Sequence, residues 1–410
     1  MESEKASVTA IIVESGEGDE KYNPGTRLLG LSVIERAVFV LASAGVDDVL
    51  LWTRNKPEFS RPNPVPVRSL GDAAGVDADK SRFILLPADL VFHRSVIEKL
   101  IDNNEKEIGF VRSVSKAEYS AMAQKAADGE YPEINFLRDE DGQRPESDLK
   151  AFEARVADRA GFIRARKLLL ESLKKNVDGI AARYVNRPIS LFITRFLTIF
   201  DLHPNHLTPV IMLIGLLSGI LAAHGGYWWF LAGALLLQLQ SILDGCDGEL
   251  ARITFRTSKL GQWLDTIGDD FSNYVFLAGL ATGLYRESGW WGYALLGVVT
   301  LASTLSITFF EYRYLIRAGS GDLCIYPTDV GQGRPGPFAR IVSRLGLRYI
   351  VKRDFFVLAN FIVILLGRAD VSMWIFAVGA VSALAGIINI EIKIHSGRLP
   401  HPKQFREENA

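Results

Sequence analysis

The order of apolar and polar positions divides the chain into two unlike parts. Up to about residue 185, short apolar runs alternate with segments of helical apolar spacing, and charged residues are frequent throughout. The predicted strands are 6–13, 47–53 and 81–92, and the predicted helices are 31–45 and 95–104. Strands that alternate with helices are typical of a doubly wound α/β fold. We therefore predict a doubly wound α/β domain over residues 1–165.

Long apolar runs separated by short charged clusters follow from about residue 204. Each run is long enough to cross roughly 30 Å of hydrocarbon as a helix. The predicted spans are 205–224, 227–249, 262–284, 289–311, 354–370 and 372–392. We therefore predict an all-α, six-helix transmembrane domain over residues 204–397, followed by a cytoplasmic tail at 398–410.

The segment between the two predicted domains, 166–203, contains an amphipathic stretch, "NRPISLFITRFLTIF" at 186–200. This stretch is apolar but short, and it contains Arg187 and Arg195, which is typical of a helix that lies in the membrane interface. The alternative is a buried helix of the soluble domain. We predict a linker that ends in an amphipathic juxtamembrane helix.

The distribution of basic residues predicts the orientation in the membrane. An even number of spans places both termini on one side, where Lys and Arg concentrate, whereas the opposite loops hold little beyond Arg286 and Arg368. The positive-inside rule then predicts an integral protein of the inner (cell) membrane with both termini cytoplasmic. The N-terminus lacks a basic region followed by a long apolar core, so no signal peptide is expected.

Composition narrows the function only slightly. The 410 residues leave room for two or three domains, and a formal net charge of -1 gives no reason to expect a nucleic-acid partner. The two cysteines, Cys246 and Cys324, have no metal-ligand spacing and indicate no disulfide framework.

Acidic residues gather at the predicted cytoplasmic ends of the second and third spans. Asp244 and Asp247 are three residues apart, so they share one face of a helix. Asp265 and Asp269, four apart, share a face of the next helix, which runs in the opposite direction. Four carboxylates in a partly desolvated space repel one another, and a divalent cation relieves that repulsion. Hard oxygen ligands favour Mg²⁺, with Mn²⁺ or Ca²⁺ as alternatives.

The alternative explanation for each acid alone is a side chain near a helix end that merely extends toward water. That explanation does not account for the four acids together, because small residues and cations lie beside them in the sequence. The small residues are Gly245, Gly248, Ala251 and Gly261. They would let another helix or a substrate approach the backbone closely. Arg252, Ser258 and Lys259 lie just outside the cluster, where an anionic phosphate would bind.

The whole stretch resembles the signature of the CDP-alcohol phosphotransferases, which include the CDP-alcohol phosphatidyltransferases of phospholipid synthesis. That signature reads Asp-x-x-Asp-Gly-x-x-Ala-Arg, eight residues, then Gly-x-x-x-Asp-x-x-x-Asp, and every position is matched. The matching residues are Asp244, Asp247, Gly248, Ala251, Arg252, Gly261, Asp265 and Asp269. The resemblance covers about residues 175–395 and includes Pro204, Asn205 and Thr208 at the start of the first span.

This resemblance implies a chemistry for the named residues. The metal ligands would be Asp244, Asp247, Asp265 and Asp269, and they would hold one or two Mg²⁺ or Mn²⁺ ions on the pyrophosphate of a CDP-linked donor. The donor contacts would be Gly248, Ala251, Arg252, Ser258 and Gly261. Asp269 would also act as the general base that takes the proton from the acceptor hydroxyl, whose oxygen attacks the β-phosphorus so that CMP leaves.

Further partners follow from the same resemblance. An acceptor that carries its own phosphate could be bound by Arg313, Arg317, Lys352 and Arg353, for which contact with lipid headgroups is the alternative. The family commonly forms homodimers through its membrane helices, so a homodimer embedded in membrane lipids is expected.

The N-terminal part resembles the sugar-phosphate nucleotidyltransferases, as in fused enzymes that make CDP-inositol and then di-inositol phosphates. It keeps Gly16, Gly18, Pro24, Ile34, Glu35 and Arg36 of their glycine-rich loop and the helix that follows, and Asp89 at the usual metal-ligand strand end. It departs from them where Asp19 or Glu20 replaces an arginine and Asn23 replaces a lysine. We therefore predict a nucleotidyltransferase-like domain that has lost its activity. The alternative is a bifunctional enzyme whose soluble domain makes the CDP-polyol donor.

Two classes of function are therefore compared. The first is a membrane transferase that uses CDP-diacylglycerol or a CDP-polyol, with an acceptor such as inositol phosphate; the motif does not separate these donors. The second is a cation transporter whose carboxylates bind the transported ion. Transporters usually place such groups near the bilayer midplane in repeated halves, whereas this chain has one cluster at one face and no repeat. The transferase is therefore the favoured function.

Overall fold

The computed structural model describes residues 7–14, 21–54, 56–72, 81–102, 107–108, 110–130, 153–174, 179–321, 323–327 and 353–399. The chain divides into two compact units, Met1–Leu173 and Lys174–Ala410. The first is an α/β unit with a largely parallel sheet, and the second is helical, which confirms the predicted change of class along the chain.

The first unit alternates strands with helices. Its strands are β1 (Ser7–Val13), β2 (Arg27–Leu28), β3 (Leu31–Ser32), β4 (Asp48–Trp52), β5 (Val67–Ser69), β6 (Ser81–Pro87), β7 (Leu90–Phe92), β8 (Glu107–Ile108), β9 (Val111–Val114) and β10 (Glu153–Arg155). Its helices are α1 (Val33–Ser43), α2 (Arg94–Asp102), α3 (Lys116–Ala127) and α4 (Arg159–Ser172).

The main sheet of this unit has the strand order β5-β4-β1-β6-β9-β8. Strand β1 runs parallel to both β4 and β6, and β4 runs parallel to β5. Strand β9 is antiparallel to β6, so the sheet is mixed at one edge. Apolar side chains such as Ile11, Leu50 and Leu85 are fully buried on it, as expected for strands covered on both faces.

The run 81–92, predicted as one strand, forms two. Strand β6 ends at Pro87, which has no N–H to continue the ladder, and a turn separates it from β7. Strand β7 pairs with β10 in a separate antiparallel ribbon. Asp89 therefore lies in the turn between the two strands.

The second unit is helical within its described residues. Its helices are α5 (Arg187–Leu197), α6 (Leu207–Ala222), α7 (Tyr227–Ile253), α8 (Lys259–Ser288), α9 (Gly292–Ala318), α10 (Arg353–Leu365) and α11 (Ala369–His395). Within the described residues, four helical segments are long and apolar enough to cross a membrane: Pro204–Ala222, Tyr227–Ile253, Gly292–Ala318 and Ala369–His395. Each of the six predicted spans overlaps one of the helices α6 to α11, but α8 and α10 are not among these four.

Helices α6 and α8 approach each other closely at several glycines. A Cβ atom added to Gly219 would lie 2.3 Å from the carbonyl oxygen of Val275, and one added to Gly279 would lie 2.1 Å from the carbonyl oxygen of Gly219. Gly283 makes a similar approach to the carbonyl oxygen of Ala222. Small residues are the usual means by which helices in membranes approach this closely. This contact holds α8, which carries half of the acidic signature, against α6.

Helix α5 buries hydroxyl side chains and exposes phenylalanine side chains. Ser190 and Thr194 are buried, whereas the side chains of Phe192 and Phe196 are 60% and 44% exposed. This arrangement is the reverse of that in a water-soluble helix, and it is stable when the outer face meets lipid. The geometry therefore agrees with the predicted amphipathic helix at the membrane interface.

Candidate active site

The acidic signature lies on the C-terminal part of α7 and the N-terminal part of α8. The chain turns between them with Phe255 in the left-handed region at φ 53°. The hydroxyl of Ser258 caps α8 by accepting a hydrogen bond of 2.9 Å from the backbone N–H of Gly261. Arg256 in the same turn pairs with Asp201 at 2.9 Å. These contacts fix the turn between α7 and α8, and the two helices are in contact with each other.

Three of the four predicted metal ligands come together. Asp244 and Asp247 on α7 and Asp265 on α8 each offer a carboxylate oxygen, and these oxygens all lie within 4.8 Å of one another. Asp247 is buried, and the other two are partly buried. Like charges this close in a partly desolvated place repel strongly unless a cation or protons compensate them.

Asp247 is held in a fixed orientation. Its Oδ2 accepts a hydrogen bond of 2.8 Å from the hydroxyl of Thr208 on α6. Its Oδ1 is buried and has no hydrogen-bond partner within the described part of the chain. A buried carboxylate oxygen that lacks a donor, on a residue grouped with two further acids, fits a divalent cation, since such ions take hard oxygen ligands.

Asp269, one turn along α8 from Asp265, has other partners. Its carboxylate forms an ion pair with Arg353 at the start of α10 and accepts a hydrogen bond of 3.2 Å from Nε2 of Gln240 on α7. Among the described residues, it is not a member of the group of oxygens formed by the other three. The structure thus brings Asp269 to the same pair of helices but engages it with a guanidinium.

The predicted donor contacts lie around the acids. A Cβ atom at Gly248 would lie 3.4 Å from Nη1 of Arg252, so the guanidinium of Arg252 extends over this glycine. A Cβ atom at Gly261 would lie 3.2 Å from the side-chain oxygen of Asn205. Ala251 is partly buried on α7, between these two glycines in the sequence. Gly248 and Arg252 therefore combine an open stretch of backbone with a positive charge, as binding of a phosphate requires.

Glu249, inside the signature, has a structural role that the sequence did not suggest. Its side chain is fully buried and accepts hydrogen bonds from three side chains of α5. The donors are Arg187 Nη1 at 2.8 Å, Ser190 Oγ at 2.6 Å and Thr194 Oγ1 at 2.7 Å. The polar residues of α5 recur at helical spacing, and this periodicity indicates that they share one face of the helix. Their partner could not be identified without the tertiary fold.

Three of the four cations predicted to bind an acceptor phosphate are described, and two of these three are paired with carboxylates. Arg313 on α9 pairs with Glu391 on α11, and Arg353 pairs with Asp269. Arg317 is exposed near the end of α9, and Lys352 lies outside the described residues. Glu391 also accepts a hydrogen bond of 3.2 Å from the hydroxyl of Tyr326. Burial beside this carboxylate raises the pKa of the Tyr326 hydroxyl, so the phenol stays protonated.

Comparison with known proteins agrees with the geometry. Residues 201–385 match the family model described as CDP-alcohol phosphatidyltransferase, which includes every acid of the signature. The C-terminal half of the chain carries a CDP-alcohol phosphatidyltransferase domain. With its four long apolar helices, this domain indicates a membrane protein.

Several similar proteins are named as transferases or synthases. The chain is 34% identical over 152 residues to a "Bifunctional IPC transferase and DIPP synthase" of Aquifex aeolicus, which is 37% of this chain and 34% of that protein. A protein of the same name from Thermococcus kodakarensis is 41% identical over 137 residues, 33% of this chain and 31% of that protein. The "Archaetidylinositol phosphate synthase" of Pyrococcus horikoshii is 36% identical over 132 residues, 32% of this chain and 63% of that protein.

The matched stretches span about a third of the length of the first two relatives. The likeness therefore concerns a part of each protein. The activity, substrates and partners of the whole chain therefore do not follow from these relatives alone.

The nucleotidyltransferase-like features of the first unit are only partly described. Gly16, Gly18, Asp19 and Glu20 lie outside the described residues. The side-chain oxygen of Asn23 accepts a hydrogen bond of 2.9 Å from the N–H of Gly25, so it closes a local turn. Glu35 forms a capping box with Ser32 at the start of α1, and Arg36 donates to the carbonyl oxygens of Leu28 and Leu29. Burial lowers the pKa of Arg36 to about 10, which leaves it charged at neutral pH.

Proposed function

We propose that this protein is an integral membrane transferase that moves a substituted phosphate group from a CDP-alcohol to an acceptor alcohol and releases CMP. The observation that carries the proposal is the group formed by Asp244, Asp247 and Asp265, whose oxygens lie within 4.8 Å of one another inside the matched signature. No other role explains three converging carboxylates at a membrane-helix end as economically, because leaving them uncompensated is costly.

These three acids would hold Mg²⁺ or Mn²⁺. A bound divalent cation would neutralise charge on the donor pyrophosphate and on the departing CMP. Thr208 would keep Asp247 oriented, since its hydroxyl donates to one carboxylate oxygen and the other oxygen has no hydrogen-bond partner among the described residues. Arg252 beside Gly248 would bind a phosphate of the donor, and Ala251, Ser258 and Gly261 would line the same surface.

Asp269 is proposed as the general base. The acceptor hydroxyl would lose its proton to this carboxylate while its oxygen forms the new bond to the β-phosphorus and the bond to CMP breaks. Arg353 would orient the carboxylate before the acceptor arrives, since the two groups are paired in the structure. General-base catalysis typically contributes about 10²–10⁴-fold to the rate, which is the size of the effect assigned to Asp269.

The donor is proposed to be CDP-diacylglycerol or a CDP-polyol, and the acceptor an alcohol such as inositol phosphate. Support for a polyol or an inositol phosphate comes from the relatives' names, among them the archaetidylinositol phosphate synthase. We further propose that α6 to α11 form six spans of the inner (cell) membrane. Both termini would lie in the cytoplasm, and the protein would form a homodimer in the lipid bilayer. The excess of Lys and Arg on one side supports this orientation.

Release of CMP from a panel of CDP-alcohols tests the proposal. Purified protein with Mg²⁺ should release CMP from one donor when the right acceptor is present, and Asp265→Asn should abolish the release. The matched control is Glu287→Gln, near the other end of the same helix, where the carboxylate accepts a hydrogen bond of 3.3 Å from the N–H of Gly226. Equal loss in both variants, or no release from any donor, would refute the transferase.

A further inference from the structure

The buried ion pair between Asp89 and Arg155 bears on what the first unit can do. Nε of Arg155 lies 3.1 Å from both carboxylate oxygens of Asp89, and Nη2 lies 2.9 Å from Oδ2. The side chain of Asp89 is 6% exposed and that of Arg155 is 8% exposed. Both oxygens of Asp89 are thus engaged by one guanidinium, away from bulk water.

The backbone fixes this pair in place. Strand β10 is antiparallel to β7, with Arg155 opposite Leu90, the residue that follows Asp89. The N–H of Val156 donates a hydrogen bond of 2.8 Å to the carbonyl oxygen of Asp89. The guanidinium of Arg155 also lies 5.8 Å from the centre of the Phe110 ring. The arginine is therefore held from its backbone to its charged end.

Asp89 does not fit the metal-ligand role that the nucleotidyltransferase resemblance implies. A divalent cation at Asp89 would have to displace the guanidinium of Arg155 from both carboxylate oxygens, at a place where both side chains are almost fully buried. Breaking a buried ion pair is strongly unfavourable, because it separates two charges that water does not reach. Within the described residues, no group of three or more possible ligands includes Asp89; the one such group is on α7 and α8.

A second, independent feature is the charge of the cleft at the carboxyl ends of β1 and β4. Open α/β sheets bind ligands at this edge. The cleft has a volume of about 510 Å³ and is lined by three carboxylates, those of Glu14, Glu35 and Glu58. Arg27 is the one basic residue among the described residues that line it. Such a surface repels a polyanionic nucleoside triphosphate.

We infer that the first unit does not transfer nucleotidyl groups, so the CDP-alcohol used by the phosphatidyltransferase domain is made by a separate enzyme. That reaction joins an alcohol phosphate to CTP: a phosphate oxygen attacks the α-phosphorus of CTP, a new P–O–P linkage forms and pyrophosphate leaves. The inference rests on the proposed function for the need of a CDP-alcohol. The names of the bifunctional relatives imply two activities, whereas we infer only one for this protein.

A two-product assay on the full-length protein tests the inference. The protein with Mg²⁺ is given CTP together with phosphatidic acid, inositol phosphate or another polyol phosphate, and pyrophosphate is measured; CMP is measured separately with CDP-alcohols and acceptors. We expect CMP release with pyrophosphate at background. Pyrophosphate formation above background that is lost in Asp89→Asn overturns the inference. Absence of CMP with every donor refutes the proposed function alone, because pyrophosphate is read independently.

Metal binding gives a readout that does not depend on finding the substrate. In the variant Asp244→Asn/Asp247→Asn/Asp265→Asn, electron paramagnetic resonance of added Mn²⁺ should show complete loss of the bound signal, with and without CTP. A remaining bound Mn²⁺ that disappears when Asp89→Asn is added overturns the inference. Circular dichroism of both variants shows that the comparison is made on folded protein.

Discussion

Nη1 of Arg187 lies 2.8 Å from Oε1 of Glu249, and the glutamate side chain is fully buried. This pair joins α5 to the segment of α7 that carries Asp244 and Asp247. Ser190 and Thr194 of α5 donate to the same carboxylate. Helix α5 is therefore attached directly to α7, which bears two of the proposed metal ligands.

Glu249→Ala is expected to lower both stability and metal affinity. It leaves the Arg187 guanidinium and two hydroxyls without their acceptor in a buried place, at a cost of about 3–5 kcal/mol. Thermal unfolding in detergent and Mn²⁺ affinity measure the two effects, with Glu287→Ala on α8 as the control. Glu249→Gln, which keeps an acceptor oxygen, should fall between the wild type and Glu249→Ala. An unchanged Mn²⁺ affinity in Glu249→Ala would show that α5 does not position the acids.

Gly279→Ala is expected to separate α6 from α8. The added Cβ would lie 2.1 Å from the carbonyl oxygen of Gly219, and overpacking of this kind costs typically about 1–3 kcal/mol. Because α8 carries Asp265, CMP release should fall together with thermal stability. Gly386→Ala on α11 is the matched control, since its added Cβ meets nothing within 4 Å. Equal effects of the two substitutions would contradict the role assigned to the close contact.

Asp247 and Asp269 should be separable by measurement. Asp247→Asn removes a member of the converging group and should abolish Mn²⁺ binding. Asp269→Asn should reduce kcat by about 10²–10⁴-fold while the remaining acids still bind Mn²⁺, because the residue is proposed as the base.

Asp270 provides the control for these two variants, since it neighbours Asp269 in the sequence but accepts a hydrogen bond of 2.8 Å from the hydroxyl of Tyr312 on α9. Asp270→Asn should keep most of kcat. Undiminished turnover in Asp269→Asn would exclude it as the base, and loss of Mn²⁺ in that variant would instead make it a metal ligand.

The first unit should lose stability as the pH rises toward neutrality. Burial raises the pKa of the Glu153 carboxyl from 4.5 to about 7. The folded state therefore binds a proton more tightly than the unfolded state, and the resulting stability is fully present below pH 4.5 and is lost as the pH rises through about 7. Hydrogen–deuterium exchange of peptides from β10 should speed up over this range beyond its intrinsic pH dependence. In Glu153→Gln this extra pH dependence should disappear; if it persists, another group is responsible.

Much of the fold could be predicted from local patterns. The apolar periodicity indicated β1, β4, α1 and the helices of the second unit, because burial of one face or of the whole segment imposes it. The strand predicted at 81–92 was wrong in one respect, since Pro87 ends β6 and the chain turns before β7. Pro87 within this apolar run indicated that a strand ends there, although the apolar residues continue on both sides of it.

The candidate site divides in the same way. The spacing of the acids in the signature follows from helix geometry, so the convergence of Asp244, Asp247 and Asp265 could be predicted from the sequence. The partners of Asp269, Glu249 and Asp89 could not. Arg187 and Glu249 are 62 residues apart, and Arg155 and Asp89 are 66 apart. Pairs at such distances in the chain leave no periodic trace.

By itself, the sequence determined the helical spans, the positions of the acids on their helices and the signature they form, because these depend on neighbours within a few residues. Only the tertiary structure decided which charge each acid meets: converging carboxylates at Asp247, a guanidinium at Asp269 and a buried guanidinium at Asp89. The physical reason is that the state of a carboxylate depends on the groups within a few ångströms of it, and those groups are brought there by packing between distant segments.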